Sequence, residues 1–156
     1  PEAQLDRFLF KIDVGYPSPE EEAAILAGHH AGRTSDRLAD VQAVMTAEDV
    51  AAYQGQVRQI HIEGPLLTYI AGLVYGTRNH RSLYLGASPR ASIAILQASK
   101  AFAAMRGRDF VTPEDIQEAA YPALCHRILL TPEEEMEGGR PESVIERIIG
   151  GVEVPR

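Results

Sequence analysis

A chain of 156 residues has room for one globular domain, or for a small domain flanked by pieces of another. Hydrophobic residues at 45% allow a buried core, while aromatics at 6% and the absence of Trp leave that core to Ala, Leu, Ile and Val, a balance that favours packed helices. A net charge of -7 argues against binding along nucleic-acid phosphates, which calls for a basic surface.

The first element is read from residues 8 to 14, where Phe8, Phe10, Ile12 and Val14 alternate with Leu9, Lys11 and Asp13. That period of two predicts a strand. Gly15-Tyr16-Pro17 breaks it, and Ser18-Pro19 with Glu21 forms a capping box that opens a helix from about Pro19 to Ala27, stopped by Gly28. Ala23, Ile25 and Leu26 are its apolar positions. Residues 31 to 40 are polar and read as an exposed connection.

Thr46 and Asp49 give the next capping signal, followed by Val50, Tyr53, Val57 and Ile60 at helical spacing. A third helix runs from Pro65 to about Tyr75, and residues 76 to 87, rich in Gly, Arg, His and Asn, read as a loop. Ser88-Pro89 repeats the cap-then-proline start ahead of a long helix to about Arg106, which Gly107 stops. Thr112-Pro113-Glu114-Asp115 opens another helix, and Pro122 should break or kink it. Thr131-Pro132, an acidic segment and a short amphipathic helix around Pro141 to Ile149 complete the chain.

One strand followed by five or six capped helices is therefore a mainly α arrangement. A lone strand has no hydrogen-bond partner of its own, so it should complete a sheet supplied from elsewhere. The start without Met points the same way, to a fragment. No apolar run approaches the roughly 20 residues of a membrane span, and no basic-then-apolar leader opens the chain. The single cysteine, Cys125, suits a reducing cytoplasm.

The basic residues are thirteen Arg and only two Lys, Lys11 and Lys100, and neither follows a glycine. No Gly-Lys-Ser/Thr phosphate loop exists here, so this stretch is not expected to bind ATP alone. Arg90 is the first candidate for chemistry. It sits two places after the Ser88 cap, where a guanidinium opposes the helix dipole but, together with the helix N-terminus, makes an anion-binding arrangement. It reads either as a phosphate contact or as a solvated surface arginine.

Arg7, just before the strand, reads either as a residue reaching a neighbouring subunit or as a local partner of Asp6 or Glu2. His29-His30 and Cys125-His126 are adjacent pairs that cannot chelate one ion unaided, and no H-E-x-x-H or C-x-x-C pattern occurs, so no metal site is expected. Gly86-Ala87-Ser88-Pro89-Arg90 lacks the closing glycine of a nucleophile elbow, and Ser88 reads as a cap. Glu133-Glu134-Glu135 reads as a solvated acidic turn.

Five stretches together resemble the MoxR family of AAA+ ATPases. Pro1-Glu2-Ala3-Gln4-Leu5-Asp6-Arg7-Phe8 is similar to the family segment that leads into the last strand of the nucleotide-binding core, and Tyr16-Pro17-Ser18 to the entry of its lid. Gly86-Ala87-Ser88-Pro89-Arg90-Ala91 resembles the second-sensor motif. Lys100-Ala101 through Arg106-Gly107-Arg108-Asp109-Phe110-Val111-Thr112-Pro113-Glu114-Asp115-Ile116, and Leu124-Cys125-His126-Arg127-Ile128, are similar to two further family stretches.

The resemblance implies a helical bundle AAA+ lid domain preceded by one strand of the α/β core. Residues 1–17 would then be the C-terminal end of the core, 18–130 the lid, and 131–156 an acidic turn, terminal helix and tail. It implies Arg90 as the second-sensor arginine on ATP phosphates and Arg7 as an arginine finger acting in trans. For the parent protein it implies ATP and Mg2+, a ring of copies of itself with six subunits as the usual number, von Willebrand factor A domain partners, and chaperone-like remodelling of client complexes. The reading from another class is a helical protein-interaction module with no nucleotide role. A third, helix-turn-helix DNA binding through the helix at Thr112, is disfavoured by the charge.

Overall fold

The computed structural model describes residues 2 to 32 and 41 to 155, with the side chains described from Gln4 onward. The polar connection read at residues 31 to 40 falls largely outside the described residues. In chain order the elements are α1 (Glu2–Leu5), α2 (Pro19–His30), α3 (Ala47–Gln59), α4 (Gly64–Arg78), β1 (Leu83–Leu85), α5 (Pro89–Met105), α6 (Pro113–Leu124), β2 (Leu129–Leu130), α7 (Pro132–Met136) and α8 (Pro141–Gly151). They form two compact units, residues 13–52 and the remainder, with the boundary inside α3.

The larger unit is a helical bundle. Helices α4, α5, α6 and α8 each turn an apolar stripe inward, so that Leu73, Ile95, Ile116, Leu124, Val144 and Ile145 are all buried. Small residues let the backbones approach. Ala91, Ala94 and Ala98 of α5 and Ala119, Ala120 and Ala123 of α6 are buried as well. The prolines that open these helices cost no hydrogen bond at the first helical position. The terminal helix α8 shares this core with α4 and α6 rather than standing apart from it.

Capping signals in the sequence become hydrogen bonds. The Glu21 backbone N–H donates to Ser18 Oγ at 3.2 Å and the Ser18 N–H to Glu21 Oε2 at 2.8 Å. Thr46 and Asp49 make the same reciprocal pair at 2.8 and 3.1 Å. In the smaller unit, α2 buries none of its residues, and Ile25 and Leu26 stay exposed.

Four local expectations change. Residues 8 to 14 form no ladder among the described residues, because no neighbouring strand meets them. Their first backbone groups are taken up otherwise: the Lys11 N–H donates to the Pro122 carbonyl at 3.0 Å, and Phe10 stacks on Phe102 at 6.3 Å between ring centroids. Helix α2 runs past Gly28 to His30, and Gly32 takes the left-handed conformation at φ +73. Helix α6 continues through Pro122 to Leu124. So near the end of a helix, the missing N–H removes one bond and little else.

The loop read at 76 to 87 contains the last turn of α4 and strand β1, which pairs antiparallel with β2 in the register Leu83↔Leu130 and Leu85↔Leu129. Strands of three and two residues are too short to show alternation, and only their pairing reveals them.

Candidate functional site

The start of α5 is built from α4. Thr77, buried on the last turn of α4, donates its hydroxyl to the Val74 carbonyl at 2.6 Å and accepts the Ala87 N–H at 2.9 Å. Arg78 Nε donates to the Ala87 carbonyl at 2.8 Å. Gly86 lets these backbones touch, since a Cβ there would lie 2.6 Å from the Arg78 Cα. The strand-to-helix turn is thereby set before Ser88 caps α5, accepting the Arg90 N–H at 3.2 Å.

Arg90 projects from that first turn with more than half of its side chain exposed. Its Nη1 lies 3.9 Å from Asp6 Oδ2, a loose pairing. Arg7 is exposed as well, and its side chain makes no ion pair among the described residues. Both arginines line one surface cleft of about 310 Å³ with Asp6, Leu9 and Ile93. Two residues separated by more than eighty positions thus meet at one place.

Asp6 is the hub beneath them. Its two carboxylate oxygens accept the Ser88 hydroxyl at 2.9 and 3.0 Å, and Oδ1 accepts Arg127 Nε at 3.3 Å. Arg127 follows α6 and is buried, its side chain 3% exposed. Burial pushes its guanidinium down from the ordinary arginine range, while Asp6 pulls the other way by charge and hydrogen bonding. Its remaining donors go to the carbonyls of Asp6, Phe8, Leu9 and Ala123. His126 Nε2 adds a 2.9 Å hydrogen bond to the Phe8 carbonyl; since a carbonyl only accepts, that nitrogen carries the proton.

A second charged cluster holds the turn between α5 and α6. Asp115, fully buried, accepts hydrogen bonds from Arg108 at 2.6 and 2.8 Å, from Arg106 and from the Thr112 N–H at 2.9 Å. Burial alone would raise its carboxyl, but the bonds from Arg108, Thr112 and Arg106 outweigh this and hold it at about 2. Arg106 is raised by its hydrogen bonds to Glu118 and Asp115. This cluster has no side chain on the cleft and is architectural.

Of the two residues singled out from the sequence, then, Arg90 and Arg7 share the cleft. Asp6, Thr77, Arg78 and Arg127 were missed as parts of the site. Asp6 and Arg127 did lie inside stretches with a family resemblance, which was the available signal; their mutual contact was not. Among the described residues, no group of His, Cys, Asp or Glu could hold a metal ion, and no helix is long and apolar enough to cross a membrane.

Residues 75–148, which include Arg90 and Arg127, match the family of AAA lid domains. The chain is 37% identical over its whole length to Chaperone MoxR1 of Mycobacterium tuberculosis, spanning 42% of that protein. The chain carries an AAA lid of the MoxR type. It is also 41% identical to YeaC of Bacillus subtilis, over 99% of the chain and 48% of that protein. The crystal structure of a candidate ATPase from Cytophaga hutchinsonii superimposes on all of the chain with a TM-score of 0.86 at 34% identity, over 49% of that protein. The chain thus spans about half the length of the relatives it matches.

Proposed function

We propose that the protein carrying this lid hydrolyses ATP at subunit interfaces of a ring, six-membered by analogy with its family, and uses the resulting lid movement to mature or remodel other protein complexes. Partners with von Willebrand factor A domains belong to the same reading. The observation that carries it is the cleft on which Arg7 and Arg90 both open beside the N-terminus of α5. Two guanidinium groups and a helix N-terminus suit a terminal phosphate, whose charge is spread over its oxygens during transfer. The name of the mycobacterial relative supports the chaperone part, and the description of the Cytophaga structure supports the ATPase part.

In this reading Arg90 reports the phosphate to the lid, because it rides on α5, the helix that packs along α6 and α4. Arg7 acts in trans on the γ-phosphate held by a neighbouring subunit, neutralising charge on the transferred group. The described residues lining the cleft do not fit a magnesium site. The cleft's carboxylate, Asp6, is already bonded to Ser88 and Arg127, and the ion enters no step derived from them.

The test is steady-state ATP turnover by the full-length protein. Arg90→Ala should lower it on the order of 10²-fold, and Arg7→Ala by roughly 10³-fold or more, each with an unchanged circular-dichroism melt. Turnover that survives both substitutions, or a full-length protein that turns over no ATP, would favour the interaction-module reading instead.

A further inference from the structure

Building on the nucleotide reading, we propose that Arg127 is a positioning residue for ATP hydrolysis, clamping the backbone around Arg7 and joining it through Asp6 and Ser88 to the turn that carries Arg90. A guanidinium has five N–H donors in a rigid fork. In Arg127 every nitrogen is committed: Nε to the Asp6 carbonyl and carboxylate at 3.3 Å, Nη1 to the Leu9 carbonyl at 3.1 Å and to that of Ala123, Nη2 to the Asp6 carbonyl at 3.1 Å and to that of Phe8. Three of those four carbonyls come from residues 6 to 9, on either side of Arg7. The Arg7 N–H bonds the Gln4 carbonyl at 3.2 Å and the Phe8 N–H that of Leu5 at 3.0 Å, which completes a pinned turn.

The carboxylate of Asp6 extends the clamp. It takes the Ser88 hydroxyl, and the same Ser88 oxygen takes the Arg90 N–H, so one unbroken chain of hydrogen bonds runs from Arg127 to Arg90. Asp6 also lies between two guanidinium groups, bonded to Arg127 at 3.3 Å and only 3.9 Å from Arg90. By sharing the charge of Asp6 from below, Arg127 leaves Arg90 free to face an anion in the cleft. A buried charge is costly unless its partners are in place, and here a simple apolar side chain could fill the volume without gripping the carbonyls around Arg7. The arrangement is therefore suited to fixing where two exposed arginines point.

Arg127→Lys in the full-length protein is the discriminating variant, since it keeps the charge but has three donors on a point-like head that cannot span the fork. The melt should stay within a few degrees, while kcat for ATP falls on the order of 10²-fold, as for a misplacement of about 1 Å. Added to Arg7→Ala, the same substitution should lower kcat by much less than it does alone, because the larger part of its effect passes through Arg7 and only the remainder through Arg90. A folded Arg127→Lys with unchanged kcat overturns the proposal, and so does an equal additional loss in the Arg7→Ala background.

If the lysine variant does not fold, Asp6→Asn, which preserves shape, is held to the same two criteria; failure of both to fold would mark the clamp as architectural only and overturn the proposal. Failure of the underlying reading looks different: Arg7→Ala and Arg90→Ala would then leave turnover intact by themselves.

Discussion

At the level of single residues, the structure separates charges that hold the fold from charges left open to solvent. Asp115 belongs to the first kind. Its carboxyl, held at about 2, is depressed below the unfolded value, so its contribution to stability is complete above the unfolded value and is lost as pH falls toward 2. That loss amounts to about 2 kcal/mol, and an acid titration of the melting temperature should show it. Asp115→Asn should cost roughly 3 kcal/mol at neutral pH, because Arg106 and Arg108 lose their shared partner, and should flatten the acid limb of that titration.

Gly86 works by having no side chain. Gly86→Ala would press a Cβ against the Arg78 and Thr77 backbone, and a destabilisation of about 1–3 kcal/mol is expected in chemical denaturation. A neutral result would mean that the turn below Ser88 yields easily. Arg7 and Arg90 are of the second kind. Neither is needed for packing, which makes their substitution a clean probe of turnover.

Among the elements, capping and packing divide the work. The starts of α2, α3 and α7 are specified within four residues of sequence, where Ser18, Thr46 and Thr131 each accept the N–H three places on. Such local signals need no tertiary partner. Helix α8 shows the other case. Its apolar stripe was legible, but whether it faces the bundle or a foreign partner was not. Val144, Ile145 and Ile148 bury against α4 and α6, so α8 is part of the lid's own core. Ile145→Ala should therefore cost about 2–5 kcal/mol in a denaturant titration, whereas a surface-docking helix would tolerate the change with little loss.

For the molecule as a whole, burial is unevenly distributed. Among the described residues, the bundle of α4, α5, α6 and α8 contains the largest fully buried side chains, while α2 buries none. Amide exchange follows local burial and cooperativity. In hydrogen-exchange mass spectrometry, peptides of α4, α5 and α6 should be protected near the level of global unfolding, and those covering α2 should exchange well before them. Equal protection in both would show that α2 is stabilised by something its own residues do not reveal.

The sequence by itself determined the helical class, the starts of α2 to α6 and of α8 to within a residue, and the stop of α5 before Gly107, and it singled out Arg7 and Arg90 as candidates. These rest on periodicity, capping and turn chemistry, which act over a few residues. Tertiary structure decided the rest. The pairing of Leu83–Leu85 with Leu129–Leu130, the absence of a ladder at residues 8 to 14, and the meeting of Asp6 with Ser88 and Arg127 all join segments far apart in the chain. Arg127 reads as an ordinary charge after a helix until Asp6, Phe8 and Leu9 are brought to it. Only folding can do that, because closing so long a loop is driven by the burial of the bundle and not by the residues that finally touch.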